Sequence, residues 1–122
     1  MEIPKEIEKA ALRTYIGWKN KYEILKAAGT LTEKQKRLYS RGLRTGGLCY
    51  TMEIMNYASD TVAREQLEGL VTYVDDILQD IKDGNITNAL NKIKTGLTEY
   101  VNLIKIHFPE IYDKHKEVLT WK

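Results

Sequence analysis

The sequence predicts an all-α protein, a single-domain bundle of four to five mostly antiparallel helices over residues 1–122. Three observations carry this expectation. Apolar residues recur at spacings of three and four along the whole chain, the signature of helices with one buried face. No run alternates apolar and polar residues, and no Asn-Gly or Asp-Gly turn lies between β-branched segments. The breaks between periodic stretches are short and contain no Pro- or Ser-rich linker, so successive long helices must fold back on one another. A chain of 122 residues is long enough for one core. Domains of this size bury roughly two-thirds of the surface exposed by the unfolded chain.

The first helix is expected to start at Pro4, a favourable first-turn residue, and to stop at Gly29 after Ala28. Ile7, Ala11, Tyr15, Trp18, Tyr22 and Leu25 form its inward stripe. Thr32 with Gln35 three positions later is a capping-box pattern, so a second helix should begin near Glu33. Gly42, Gly46 and Gly47 weaken that helix and predict a bend or a close backbone approach. Helicity should resume through Leu48, Met52 and Met55 to Ala58. Asp60 is the expected N-cap of a third helix with Leu67, Leu70, Val71, Val74, Ile77, Leu78 and Ile81 inward and Gly84 at its end. Ile86, Leu90, Ile93, Leu97, Val101, Ile104 and Phe108 then give a continuous stripe to a fourth helix. Pro109 ends or kinks it, and Glu110 to Leu119 reads as a short final helix.

The formal charge of +2 averages unlike parts. Residues 1–45 hold eleven Lys/Arg against five Asp/Glu, residues 46–91 two against eight, and residues 92–122 six against four. A basic first third and an acidic middle on one small domain suit contacts between unlike faces. The apolar runs are too short to cross a bilayer, MEIPKEIEKA lacks the apolar core of a secretory signal, and the lone Cys49 has no intrachain partner. These features predict a cytoplasmic protein without a membrane association.

No catalytic constellation and no cofactor motif is readable. His107 and His115 are eight apart across Pro109, which is not the i, i+4 spacing of a helical zinc pair. The Arg nearest before His107 is Arg64, so the Arg–His motif of small helical HEPN ribonucleases is missing. Cys49 follows Gly47-Leu48 without a nearby His to activate it and reads as an inert thiol. Asp76, Asp80 and Asp83, with Asp75 beside them, form an acidic row but lack the Gly-containing loop of a calcium site, so a solvated or partner-facing edge is expected. The glycines at 42, 46 and 47 match neither a P-loop nor a dinucleotide fingerprint.

The feature that carries chemistry is basic. Lys34, Arg37, Arg41 and Arg44 fall at spacings of three, four and three, a single stripe on one helix, with Lys36 beside it and Glu33 alone opposing within residues 33–45. Like charges so placed repel, so a compensating partner is expected. Phosphates fit: arginines bind them in bidentate fashion, and Tyr39 is a candidate base or sugar contact. The competing reading is a solubilising face, or a patch paired with the acidic residues 60–83 of the same or another copy.

Arg44-Thr45-Gly46-Gly47-Leu48-Cys49-Tyr50-Thr51-Met52-Glu53-Ile54 resembles the motif R-T-N-G-L-x-x-T-L-A-F of the small helical subunit of type III-B (Cmr) CRISPR–Cas effector complexes. Tyr100-Val101-Asn102-Leu103-Ile104-Lys105 is similar to that family's Y-L-N-W-L-K near its C-terminal end. Gly46, Glu53 and Leu103 stand where the family has Asn, a small apolar residue and Trp. The resemblance implies a non-catalytic subunit for antiviral defence, without metal or cofactor. It would be present in several copies stacked beside the backbone subunits, lining the channel that holds guide and target RNA. The alternative from the residues is a small helical interaction protein, such as a phage-encoded inhibitor that sequesters a host defence component. A third reading is a bundle with a ligand pocket walled by Tyr15, Tyr22 and Tyr100.

Overall fold

The computed structural model describes residues 3–43, Ile54, Tyr57 and 61–120. Among them the chain forms α1 (Lys5–Ala28), α2 (Glu33–Leu43), α3 (Thr61–Lys82), α4 (Ile86–His107) and α5 (Pro109–Lys114), and no strand. Ile54 and Tyr57 are also helical, the first fully buried and the second exposed. The all-α architecture is as the periodicity predicts. The expected bend at Gly46 and Gly47, the resumption through Leu48, Met52, Met55 and Ala58, the Asp60 cap and the Val71 side chain lie outside the described residues.

Local chemistry sets the helix ends. Pro4 is the cap of α1 and not its first helical residue: its ψ of 143° is extended, while its carbonyl accepts the Ile7 and Glu8 N–H groups at 3.0 and 3.1 Å. Gly29, at φ +71°, ends α1 with its N–H on the Leu25 carbonyl. The capping box before α2 forms in both directions: Thr32 N–H donates to Gln35 Oε1 at 2.8 Å, and Gln35 N–H to Thr32 Oγ1 at 3.2 Å. Between α3 and α4, Gly84 at φ +80° closes a Schellman turn, with Asn85 N–H on the Asp80 carbonyl and Gly84 N–H on that of Ile81.

The last helix is shorter than the expected Glu110 to Leu119. Pro109 starts α5, and the helix stops at Lys114. Residues 115–118 are turns, closed by Val118 and Leu119 N–H bonds to the His115 carbonyl. Two tertiary ties accompany this departure: Leu119 is buried, and the Tyr15 hydroxyl donates to the Thr120 carbonyl at 3.2 Å.

The bundle is organised around α4, which packs against α1, α3 and α5, while α2 packs on α1 and α3. Its expected stripe is buried or half-buried throughout, but Ala89, Gly96, Tyr100 and Leu103 are buried as well. A helix with three neighbours needs a second inward row. Gly96 marks the tightest approach: a Cβ there would lie 3.0 Å from Trp18 Cζ3 on α1. Beside it the Tyr100 hydroxyl donates to the Ala11 carbonyl at 2.8 Å, and burial pushes this phenol far above its ordinary pKa. Tyr15 and Tyr100 are thus core residues bonded to backbone, and Tyr22 is half-buried with Lys26 Nζ 5.8 Å from its ring centroid. The tyrosines pack the bundle, as amphipathic aromatics commonly do.

Candidate nucleic-acid interface

Helix α2 places the basic stripe. At about 100° per residue, Lys34, Arg37 and Arg41 share one face of α2, roughly opposite Tyr39. The three basic residues are exposed and Tyr39 is buried. Tyr39 anchors the helix: its hydroxyl donates to the Lys21 carbonyl of α1 at 2.6 Å, and Lys21 Nζ sits 4.9 Å from the ring centroid. Burial drives the Tyr39 phenol far above its ordinary pKa. Tyr39 is therefore a tether between helices, and its ring is not available to stack on a base or sugar. Arg44 lies outside the described residues.

Two further details change the stripe. Lys36 belongs to the inward flank, half-buried, with Nζ 3.2 Å from Glu33 Oε1, so it does not extend the basic face. Leu38 stands between Lys34 and Arg41 at the i+4 and i+7 positions of the same row, and it is 57% exposed. It borders an apolar groove of about 270 Å³ between α1 and α2, with Ile24, Ala28 and Leu31 on the other side. Leu38 is a residue that the charge pattern alone does not single out; its signal in the sequence is its position among cations at helical spacing.

The remaining candidates separate. In the acidic row, Asp80 pairs with Lys92 across α3 and α4 at 2.7 Å, a hydrogen bond that holds the Lys92 ammonium above its usual pKa. Asp83 accepts from Gln79 Nε2 at 3.0 Å on its own helix. Among the described residues no three His, Cys, Asp or Glu side chains converge where they could hold a metal ion. His107 Nε2 lies 2.9 Å from Gln66 Oε1, and His115 Nε2 lies 2.5 Å from Glu8 Oε1, to which Lys114 also bonds at 3.2 Å. Each histidine thus cross-links two segments of the bundle. Cys49 lies outside the described residues, and among those described no helix is long and apolar enough to cross a membrane.

No protein-family model matches the chain, and neither characterised proteins nor solved structures are significantly similar to it. Of the two strings that resemble the Cmr small subunit, Tyr100 to Lys105 forms part of α4. There Tyr100, Leu103 and Ile104 are buried, so that string serves packing. The other string is described at Ile54, which is also buried.

Proposed function

We propose that the domain is a non-catalytic structural subunit of an RNA-containing assembly of the type III-B CRISPR–Cas kind, and that the outward face of α2 contacts guide or target RNA. Sibling subunits, further copies of the chain and a cytoplasmic location belong to this reading. One observation carries it: Lys34, Arg37 and Arg41 lie exposed on one face of a helix whose opposite face is fixed to the core by Tyr39. A cationic row on a tethered helix tracks phosphates without reading bases, which suits a subunit whose guide supplies the sequence. The test is purification from the native host, followed by RNA retention by the complex with wild-type chain or Arg37→Glu/Arg41→Glu. The reading expects RNA and sibling proteins to co-purify. The variant should lose retention at low salt, with the salt slope reduced by about 1.4 for two contacts to single strands. A chain recovered alone, or retention unchanged at every salt concentration, refutes it.

Leu38 favours a second reading, a helical protein that binds and sequesters a protein partner. An exposed leucine between two cations, continuous with the groove at Ile24, is the composition of a protein contact more than of a phosphate track. Leu38→Ser separates the two: it should leave RNA retention intact under the first reading and abolish partner capture under the second.

A further inference from the structure

A second groove, away from the α2 stripe, runs between α3 and α4. Its walls come from positions 66, 69, 70 and 73 of α3 and 99, 102, 103 and 106 of α4, the i, i+3, i+4, i+7 rows of two neighbouring helices, and they enclose about 510 Å³. Each wall is two helical turns long, roughly 10 Å of rise, enough to seat two turns of a guest helix. Leu70 and Leu103 form its buried floor, and Ile106 at its lip is 68% exposed, the most exposed large apolar side chain among the described residues. At Gly69 a Cβ would meet nothing within 4 Å, so the α3 wall is open to close approach.

Glu99 is the one charged side chain among the described residues that line this apolar trough. Burial pushes the Tyr73 phenol on its wall above the ordinary pKa; Glu99, Asp76 and Asp80 add to that rise, and Lys92 alone opposes it. Lys92 is already paired with Asp80. Glu99 is exposed on the groove wall, and Asp76, also exposed, lies one helical turn beyond Tyr73 on α3.

We infer that the α3–α4 groove docks a cationic amphipathic helix supplied by a partner protein. Its apolar i, i+3/i+4, i+7 row lies over Leu70, Leu103 and Ile106, its backbone approaches Gly69, and its flanking lysines or arginines meet Glu99 and Asp76. The contact is separate from the α2 stripe and does not depend on the RNA reading.

The probe is a synthetic Leu/Lys amphipathic peptide about 18 residues long, enough to hold a helix, compared with its Leu/Glu counterpart. Affinity is measured by fluorescence anisotropy, and the site is mapped by amide shift changes on the full chain. The Lys peptide should bind with shifts centred on Gly69, Glu99, Asn102 and Ile106, and the Glu peptide should not bind. Gly69→Leu, which fills the trough from a position with open space, and Asp76→Lys/Glu99→Lys should each weaken binding about tenfold or more. Unchanged circular dichroism and melting temperature show that the variants fold, and Ile106→Lys is the substitute if Gly69→Leu fails to. Equal binding of both peptides, shifts centred elsewhere, or full affinity in Gly69→Leu overturns the assignment. So does self-association of the chain that Gly69→Leu abolishes without any binding of the Lys peptide, because the occupant is then a second copy.

Discussion

Replacing Gly96 by Ala tests the contact on which the α1–α4 packing turns. Gly→Ala in a helix interior gains about 1 kcal/mol through backbone entropy and propensity. At Gly69 nothing opposes that gain, because the new methyl meets open space. At Gly96 the same methyl arrives 3.0 Å from Trp18 Cζ3, where carbon pairs ordinarily rest about 3.5–4.0 Å apart. Trp18 is 6% exposed and held in the core, so its ring must retreat by roughly half an ångström into packed neighbours. Overpacking of this kind costs about 1–3 kcal/mol. The propensity terms cancel between the two variants, so Gly69→Ala should exceed Gly96→Ala in stability by about 2 kcal/mol. For a chain of this length that is roughly 6–10 °C in Tm. Urea unfolding followed by far-UV circular dichroism measures the difference directly. A Trp18→Phe background, which removes the ring edge nearest Gly96, should shrink it in a double-mutant cycle. Equal stabilities of Gly69→Ala and Gly96→Ala would refute the close approach, and with it the account of why α4 carries a glycine in its inward row.

Glu8→Gln addresses the C-terminal tie. Hydrogen bonds from His115 first and Lys114 second hold the Glu8 carboxyl below its usual pKa. Its contribution is thus present above the ordinary carboxylate range near about 4.3 and is lost as pH falls through the lower folded value. Urea midpoints of the wild type should drop more steeply than those of Glu8→Gln from about pH 6 to pH 3, and parallel curves would count against the tie. Tyr39→Ala should release α2, raising amide exchange across Glu33–Leu43 and reducing RNA retention, while α3 and α4 stay protected. Loss of protection throughout the chain would show instead that Tyr39 supports the whole core. Raising salt should increase protection of α2 in the wild type, because Lys34, Arg37 and Arg41 repel one another at i, i+3 and i+7; unchanged exchange would mean their charges are already compensated.

The helices were legible because the signals that define them are local. Thr32 and Gln35 form the box their spacing announces, Gly29 and Gly84 stop helices in the positive-φ region, and the α1 and α4 stripes face inward. The second buried row of α4 was not legible, since Ala89, Gly96 and Tyr100 are inward only because α1, α3 and α5 surround that helix. Neither was the early end of α5: its periodicity continues to Leu119, but the chain leaves the helix at His115, whose ring lies on Glu8. The candidate site divides the same way. Spacing put Lys34, Arg37 and Arg41 on one face, whereas the roles of Lys36 and Tyr39 depend on where α1 lies, and Asp80 on where Lys92 lies.

The cationic stripe also bears on the stability of α2 itself. Eleven residues is short for a helix, and isolated helices below about 12–15 residues are marginal even with favourable sequences. This one carries three mutually repelling cations on its outer face. It is held by the Thr32–Gln35 box at its start and by Tyr39 at its middle, the latter through a bond of 2.6 Å to α1. A short helix with like charges at helical spacing on its exposed face is stabilised by any ligand that neutralises that face. By the same linkage, such a ligand binds more weakly when the ties are cut. Phosphates and acidic protein surfaces both meet this condition, and Leu38 discriminates between them: a phosphate track gains nothing from a 57% exposed leucine between two cations, whereas a protein partner buries it.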